Sequence, residues 1–131
     1  MYVRVVAYVV RDGELLVFTH VDYPEAGTQV PAGTVEEDEN PADAVVREVL
    51  EECGVHAHVV RELGTTDRIA PRGEPRRNVF FLLACDESRN EWEHIVAGGG
   101  GGDDGLIFLC RFVPLPDVPP LAGDEDFLDA L

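Results

Sequence analysis

Apolar runs separated by turn residues predict a series of β-strands around one long helix. Two valine-rich runs at the N-terminus flank the pair Asp12-Gly13, which is typical of a hairpin turn between strands. Near the C-terminus, residues 124–131 predict a short terminal helix with three apolar residues on one face. The predicted strands cover residues 2–10, 14–20, 57–65, 78–84 and 106–113.

The central helix is predicted from signals at its two ends. Asn40 is a good N-cap, Pro41 suits the first helical position, and Gly54 suits a left-handed stop. The helix should therefore run from about Pro41 to about Cys53. A helix between runs of strands, with a second helix at the end, predicts an α/β domain with a mixed sheet between helical layers.

Three glutamates, Glu48, Glu51 and Glu52, share the face of this helix that lies opposite its apolar residues. At helical spacing they fall within an arc of about 100°. Arg47 lies four residues from both Asp43 and Glu51 and can hold the carboxylates together. A hard divalent cation such as Mg²⁺ is the usual reason for such crowding. The alternative is a solvated acidic face with no ligand, which is the commoner explanation of a charge run on a helix alone.

A longer pattern favours the metal site. Residues 33–55 read GTVEEDENPADAVVREVLEECGV, with Gly33 at the start, Gly54 near the end, and the pairs Arg47-Glu48 and Glu51-Glu52 between them. The segment resembles the signature of the Nudix hydrolase family at all nine positions that the signature specifies. Those positions are Gly33, Glu39, Arg47, Glu48, Val49, Glu51, Glu52, Gly54 and Val55.

The resemblance implies a fold, a reaction and a cofactor. The fold is an α/β/α sandwich with a mixed β-sheet between helices, and the reaction is hydrolysis of a nucleoside diphosphate linked to another group, releasing a nucleoside monophosphate. Mg²⁺ or Mn²⁺ is the implied cofactor. Glu39 and Arg47 match the supporting polar pair, and Gly33 and Gly54 match the backbone turns. The residues that match the family's metal-binding glutamates are Glu48, Glu51 and Glu52.

The general base is less constrained, because members of this family use either a signature glutamate or one from a later loop. We favour Glu52 and keep Glu91 and Glu93 as rivals. A run of five glycines, residues 98–102, predicts a mobile loop. Asp103 and Asp104 beside this run are candidates for a further carboxylate.

An arginine cluster follows the helix and is conspicuous in so acidic a chain. Four of the ten arginines fall within residues 68–77. Guanidinium groups bind phosphate oxygens in pairs, so this segment is a candidate for phosphate or sugar contacts. A solvated hairpin tip shaped by prolines and a glycine is the alternative, and both interpretations stay open. The four arginines are Arg68, Arg72, Arg76 and Arg77.

The composition excludes some partners. The formal net charge is −16, with 26 acidic residues against 10 basic ones, all of them arginine. Nucleic acids and anionic membranes require a positive surface, so we expect neither as a partner. A small nucleotide substrate, approaching with a metal ion, fits better. The length of 131 residues predicts a single domain, residues 1–131.

Cysteine use and hydropathy bear on the compartment. Cys53, Cys85 and Cys110 form none of the close pairs of a zinc or redox motif, and each lies among apolar neighbours, so we expect buried thiols. The sequence shows neither a signal peptide nor an apolar run long enough to cross a membrane. These features predict a cytoplasmic protein.

The sequence does not select a substrate. ADP-ribose-cleaving members often carry a proline about sixteen residues beyond the signature, and Pro71 stands at that distance from Val55. The short N-terminal region lacks the extra strands that many of those enzymes use to dimerise, so a homodimer is left open. A non-catalytic nucleotide-binding sensor of the same fold is the alternative function, although such a module would have lost its glutamates.

Overall fold

The computed structural model describes residues 1–97 and 104–131. The predicted mobile loop at the glycine run and the candidate Asp103 lie outside the described residues. Helix α1 spans Pro41–Cys53, with the same bounds that the sequence predicts. The strands are β1 (Tyr2–Arg11), β2 (Glu14–His20), β3 (Ala32–Thr34), β4 (Ala57–Ile69), β5 (Pro75–Cys85), β6 (Glu91–Ile95) and β7 (Ile107–Pro114).

The strands form one mixed sheet in the order β4-β5-β1-β2-β7-β6, with β3 paired to β1. The pair β1 and β5 is parallel, and the other pairs are antiparallel. Strand β2 pairs with β1 only at the hairpin end, so the two strands diverge. Strand β3 pairs with the other half of β1, from Arg4 to Val6. This fork carries Gly33 to the helix, and the predicted α/β class with a mixed sheet is confirmed.

Alternating residues of β1 and β5 face two apolar cores. Helix α1 covers one face through Val45, Val49 and Cys53, which pack with strand residues such as Val5. The segment after β7 covers the other face, where Tyr8 and its neighbours lie. Burial of both faces follows from the period of two along each strand.

The C-terminal layer differs from the predicted helix. Residues 124–131 contain only a 3-10 turn at Leu128–Ala130. Four prolines between residues 114 and 120 keep the preceding chain extended, and the remaining stretch is too short to nucleate an α-helix. Phe127, Leu128 and Leu131 still pack against the core on that face, as their apolar character requires.

Two predictions on composition can be compared with the fold. The cysteines Cys53, Cys85 and Cys110 are free and buried, as predicted. Within residues 1–97 and 104–131, no helix has the length and apolar character needed to cross a membrane.

Candidate active site

The ends of α1 are fixed by local contacts. The Asn40 side chain accepts a hydrogen bond from the Asp43 backbone N–H at 2.9 Å. Gly54 adopts a left-handed conformation with φ of 70°, and its N–H donates to the Leu50 carbonyl at 2.9 Å. The Asp43 carboxylate accepts from the Asn40 amide at 2.9 Å, so the predicted pairing of Asp43 with Arg47 is wrong: the N-cap holds this carboxylate instead.

A single guanidinium organises the signature carboxylates. Arg47 binds Glu39 through two nitrogens, with Nε and Nη2 at 2.8 and 2.9 Å from the two carboxylate oxygens. Its Nη1 donates to Glu48 at 2.8 Å and to Glu51 at 2.9 Å. Nη2 also reaches the carbonyl of Thr34 at 3.2 Å. Arg47 therefore joins the loop after β3 to the acidic face of α1.

The pKa values of the two carboxylates Glu48 and Glu39 are shifted in opposite directions within this cluster. Burial raises the pKa of Glu48, and the hydrogen bond and charge of Arg47 only partly oppose this. The hydrogen bonds from Arg47 lower the pKa of Glu39. The pKa of Arg47 is itself raised, chiefly by Glu39. Glu48 is thus a carboxylate whose charge the protein only partly compensates, as expected for a ligand of an added cation.

Glu52 lies apart from this cluster. Its side chain is buried, with 6 % of the residue exposed, and its Oε1 accepts a hydrogen bond from the Ala32 backbone N–H at 2.9 Å. The prediction that Glu52 faces away from the packed side of α1 is wrong in this respect, because β3 packs beside that edge of the helix. Glu52 is therefore oriented by the backbone of β3.

The donor set fits a hard cation in its chemistry. All candidate donors are carboxylate oxygens, the ligands that Mg²⁺ and Mn²⁺ prefer. Glu48 and Glu51 already converge on one nitrogen of Arg47. Among the described residues, no three His, Cys, Asp or Glu side chains converge as a complete metal-binding group. Glu48, Glu51 and Glu52 are the residues that would hold such a cation, and their side chains would have to rotate to bring the three carboxylates together.

Gly33 is needed because the Glu48 carboxylate occupies the place of a side chain. A Cβ atom at this position would lie 2.1 Å from Glu48 Cδ. We therefore expect Gly33→Ala to displace the carboxylate and to lower turnover at least about a hundredfold. Stability should change little, since the displaced atoms are the end of a flexible side chain. Steady-state kinetics and urea unfolding check both halves of this prediction.

Gly13 offers a matched control for this substitution. Its φ is +77° and nothing lies within 4 Å of the place that a Cβ atom would take, so Gly13→Ala should cost about 1–2 kcal/mol of stability without changing turnover per folded molecule. If Gly33→Ala kept wild-type turnover, the Glu48 carboxylate would not need its present position.

Strand β6 holds the C-terminal end of α1. Trp92 Nε1 donates to the Cys53 carbonyl at 2.8 Å, and His94 Nε2 lies 3.0 Å from the Glu51 carbonyl oxygen. A Cβ atom at Gly54 would lie 2.7 Å from the His94 ring, so this turn needs glycine for space as well as for its φ. These contacts satisfy carbonyls that the helix leaves unpaired and fix the position of Glu51.

The proposed loop carboxylates are placed differently from the prediction. Glu91 and Glu93 lie in β6 and not in a loop. Their exposed side chains alternate with Trp92 and His94, which face α1. The structure therefore turns Glu91 and Glu93 away from the helix. Asp104 lies in a turn before β7 and is exposed.

The arginine cluster divides between several environments. Arg68 and Arg76 are cross-strand partners in the β4–β5 hairpin and line the same cavity. Arg77 is exposed and pairs with Asp67, its Nε lying 2.8 Å from the carboxylate. Arg72 lines a separate hollow of about 440 Å³ beside Thr34. The four arginines do not form one binding surface.

The cavity that Arg68 and Arg76 share also contains Arg4, which the sequence did not single out. It has a volume of about 430 Å³ and lies beside Asn78 and the C-terminal segment. Arg76 Nε is buried and makes no hydrogen bond within the described part of the chain. Only the parallel pairing of β1 with β5 brings Arg4 to this position, and no local sequence signal reports such a pairing.

The cavity is electrostatically connected to the helix. Burial disfavours charge on Arg4, but hydrogen bonds and charge from Asp124, together with the charge of Glu52, outweigh it and raise the pKa of Arg4. Strand β3 pairs with β1 from Arg4 to Val6, and its Ala32 binds Glu52. The charge of Glu52 therefore acts on one of the arginines that line the cavity.

Comparisons with known proteins agree with the residue pattern. The family model of the NUDIX domain matches residues 1–130. Diphosphoinositol polyphosphate phosphohydrolase 3-alpha from Mus musculus is 36% identical over 89 residues, which cover 68% of this chain and 52% of that protein. The chain thus spans about half the length of the curated relatives it matches.

Solved structures show the same fold. The MutT NUDIX hydrolase from Burkholderia pseudomallei is 28% identical with a TM-score of 0.60, covering 92% of this chain and 88% of that one. An ADP-ribose pyrophosphatase from Streptococcus suis reaches a TM-score of 0.65 at 23% identity, covering 98% of this chain and 84% of that one.

Proposed function

Because the chain belongs to the Nudix family, we propose that it is a metal-dependent hydrolase of a diphosphate bond. Its substrate is a nucleoside diphosphate linked to another moiety, such as a nucleotide, a sugar, ribose or a second nucleoside, and one product is a nucleoside monophosphate. The carrying observation is that Arg47 gathers Glu39, Glu48 and Glu51 around one guanidinium on a helix that also bears the buried Glu52.

The proposed metal ligands are Glu48, Glu51 and Glu52, and the ion is Mg²⁺ or Mn²⁺. When bound, such an ion neutralises phosphate charge and lowers the pKa of bound water. The partial compensation of Glu48 and its contact with Arg47 support this assignment. Arg47 would then keep Glu48 and Glu51 on one side of the helix.

Glu52 is the residue that we propose as the general base. Its carboxylate is oriented by the Ala32 N–H, and its charge acts on Arg4, which lines the cavity. A base must be held within hydrogen-bonding reach of the attacking water, and a fixed, buried carboxylate satisfies this better than a mobile surface one. Glu91 and Glu93 face away from α1, which weakens both rivals.

The cavity beside Arg4, Arg68 and Arg76 is the proposed site for the substrate's phosphate groups. Guanidinium groups bind phosphate oxygens in pairs, and the buried Nε of Arg76 has an unused hydrogen. The names of the relatives point to two classes of diphosphate compound, one linked to a nucleoside and one on a phosphorylated inositol ring. Both classes carry a diphosphate group, which is the group that the family hydrolyses.

The test of this proposal is a hydrolysis screen on purified protein with Mg²⁺ and Mn²⁺, in which chromatography of the products detects the nucleoside monophosphate, sugar phosphate, pyrophosphate or phosphate released. The panel contains nucleoside triphosphates, ADP-ribose, nucleotide sugars, dinucleoside polyphosphates, dinucleotide cofactors and a diphosphoinositol polyphosphate. Turnover of one class that is lost in Glu52→Gln is the expected result. Tight nucleotide binding with no turnover of any compound would favour the sensor instead.

Arg76→Ala should raise KM about tenfold or more for the substrate found in that screen, with a smaller effect on kcat. The reason is that the lost guanidinium contacts the phosphate in both the bound substrate and the transition state. Arg77→Ala removes the same group from the neighbouring position, where Arg77 pairs with Asp67, and should leave both constants near wild type. Equal KM values in the two variants would remove Arg76 from the binding site.

A further inference from the structure

The cavity proposed for the substrate contains acidic side chains as well as the arginines that would bind phosphate. Its lining includes three arginines, Arg4, Arg68 and Arg76, and three acidic residues supplied by the segment Asp124–Asp126. The arginines lie on the strands, while the acidic residues follow one another in the C-terminal segment. At neutral pH the two sets balance, so the cavity is not strongly positive.

Two of the three guanidiniums are already engaged. Arg4 binds Asp124 through two nitrogens, both at 2.7 Å from the carboxylate oxygens. Arg68 Nη2 lies 2.8 Å from Asp126 Oδ2. For Arg76, the described residues provide no ion pair, and its Nε also lacks a hydrogen-bond partner there. An incoming anion therefore meets one uncommitted guanidinium and two that carboxylates already bind.

The acidic segment is held in place by the fold. Tyr8 Oη donates to the Asp124 carbonyl at 2.6 Å, and the Phe127 N–H donates to the same hydroxyl at 3.2 Å. The Phe127 ring packs on Phe80 with centroids 4.9 Å apart. Asp124 itself adopts a left-handed φ of 61°. Core contacts at Asp124 and at Phe127 therefore hold the acidic segment in place.

Such a cavity discriminates between anions by their total charge. A single diphosphate can take the free Arg76 and share Arg4 or Arg68 with their carboxylates. A ring that carries many phosphates would place several further negative charges near Asp124, Glu125 and Asp126. The chain has no lysine that could neutralise these charges. Like charges brought together at an interface cost free energy, and this repulsion disfavours the ligand that carries more of them.

We infer that Asp124 and Asp126 are specificity-determining residues that restrict this cavity to substrates whose charge lies mainly in one diphosphate, and that exclude densely phosphorylated inositol rings. The inference rests on the proposed function, since it assumes that this cavity receives the substrate. It separates the chain from the substrate class named for its curated relatives.

The test is a binding titration of the full chain with inositol hexakisphosphate in metal-free buffer by calorimetry. The wild type should show no saturable binding up to about 1 mM at 0.15 M ionic strength. Asp126→Asn frees Arg68 and should give saturable binding with a Kd about tenfold below that limit, and the double variant with Asp124→Asn should bind more tightly still. Asp129→Asn makes the same charge change in the same segment, outside the cavity, and should bind like the wild type.

Tight binding by the wild type, or equal binding by Asp126→Asn and Asp129→Asn, overturns the inference. The side chains of Arg68 and Asp126 are 53% and 31% exposed, so Asp126→Asn tests the idea even if Asp124→Asn impairs folding. Turnover measurements on the wild type and on Glu52→Gln distinguish a failure of this inference from a failure of the proposed function. The wild type could hydrolyse ADP-ribose, lose this activity in Glu52→Gln, and still bind the hexakisphosphate tightly. That result would refute the specificity inference and leave the proposed function standing. Absence of all turnover counts against the function, while the titration still decides the charge selectivity.

Discussion

Glu52→Gln is expected to lower kcat by about three orders of magnitude or more while leaving the fold intact. Glutamine has the shape of glutamate, and its side-chain oxygen can still accept the hydrogen bond from Ala32 that orients the native residue. It has no negative charge for a cation and cannot take a proton from water. The substitution therefore removes the chemistry of the residue and keeps its packing.

Three measurements make this result specific. Steady-state kinetics give kcat, urea unfolding gives the free energy of unfolding, and Mn²⁺ titration followed by electron paramagnetic resonance gives the affinity for the ion. Lost kcat with normal Mn²⁺ affinity identifies a base, and lost affinity identifies a ligand. Glu37→Gln is the control, because Glu37 is an exposed carboxylate in the loop before α1. Activity of Glu52→Gln within tenfold of the wild type would remove Glu52 from its central role.

The helix was predictable because its signals are local. Asn40 caps the first turn through a residue three positions away, and Gly54 closes the last turn on Leu50. Each contact depends on neighbours in sequence, so residue type and spacing specify it. The contact of Arg47 with Glu51 is of the same kind, since it spans four residues on one helix face.

Strands β3 and β6 escaped prediction because their partners are distant. The three residues of β3 include Gly33 and follow Pro31, a composition typical of a loop. They form a strand because the divergence of β2 leaves part of β1 unpaired. In β6, Trp92 bonds the carbonyl of Cys53, 39 positions away, and polar residues fill most of the strand. Both segments form strands because of contacts with residues that are distant in the sequence.

The cavity proposed for the substrate shows the same limit of sequence-based prediction. Arg4 lies near the N-terminus and Asp124 near the C-terminus, separated by 120 positions, yet they form the shortest ion pair of that region. The sequence offered the cluster at residues 68–77 as one unit. The alternation of β5 instead sends Arg76 and Arg77 to opposite faces of the sheet. The strand register and the sheet topology had to be known before Arg76, which lines the cavity, could be distinguished from Arg77, which does not.

Arg47→Lys is expected to destabilise the protein by about 2 kcal/mol and to lower turnover at least about a hundredfold. One ammonium group cannot bind Glu39 through two nitrogens and also reach Glu48 and Glu51. Because the Arg47 side chain is 23% exposed, solvent reduces the cost below that of a fully buried pair. Arg77→Lys, at an exposed ion pair with Asp67, is the control and should leave urea unfolding unchanged.

The destabilisation by Arg47→Lys should depend on pH. Arg47 lowers the pKa of Glu39, so this pair stabilises the wild type above the unfolded pKa of about 4.3 and loses that stabilisation as pH falls through the folded value. Burial raises the pKa of Glu48, so ionised Glu48 opposes folding at higher pH, and more so once Arg47 is gone. Both effects make the difference between wild type and variant largest near neutral pH and smaller below about pH 4.

A divalent cation should reduce this difference in the same way that acid does. Arg47 supplies positive charge to Glu48 and Glu51 through one nitrogen, and a cation held by the same carboxylates would supply it instead. Thermal unfolding in EDTA should therefore separate the variant from the wild type more widely than unfolding in saturating Mg²⁺. A loss of stability that is equal at pH 3.5 and pH 7, and equal with and without Mg²⁺, would mean that Arg47 acts through packing alone. The carboxylate cluster would then need another explanation for its place on the helix.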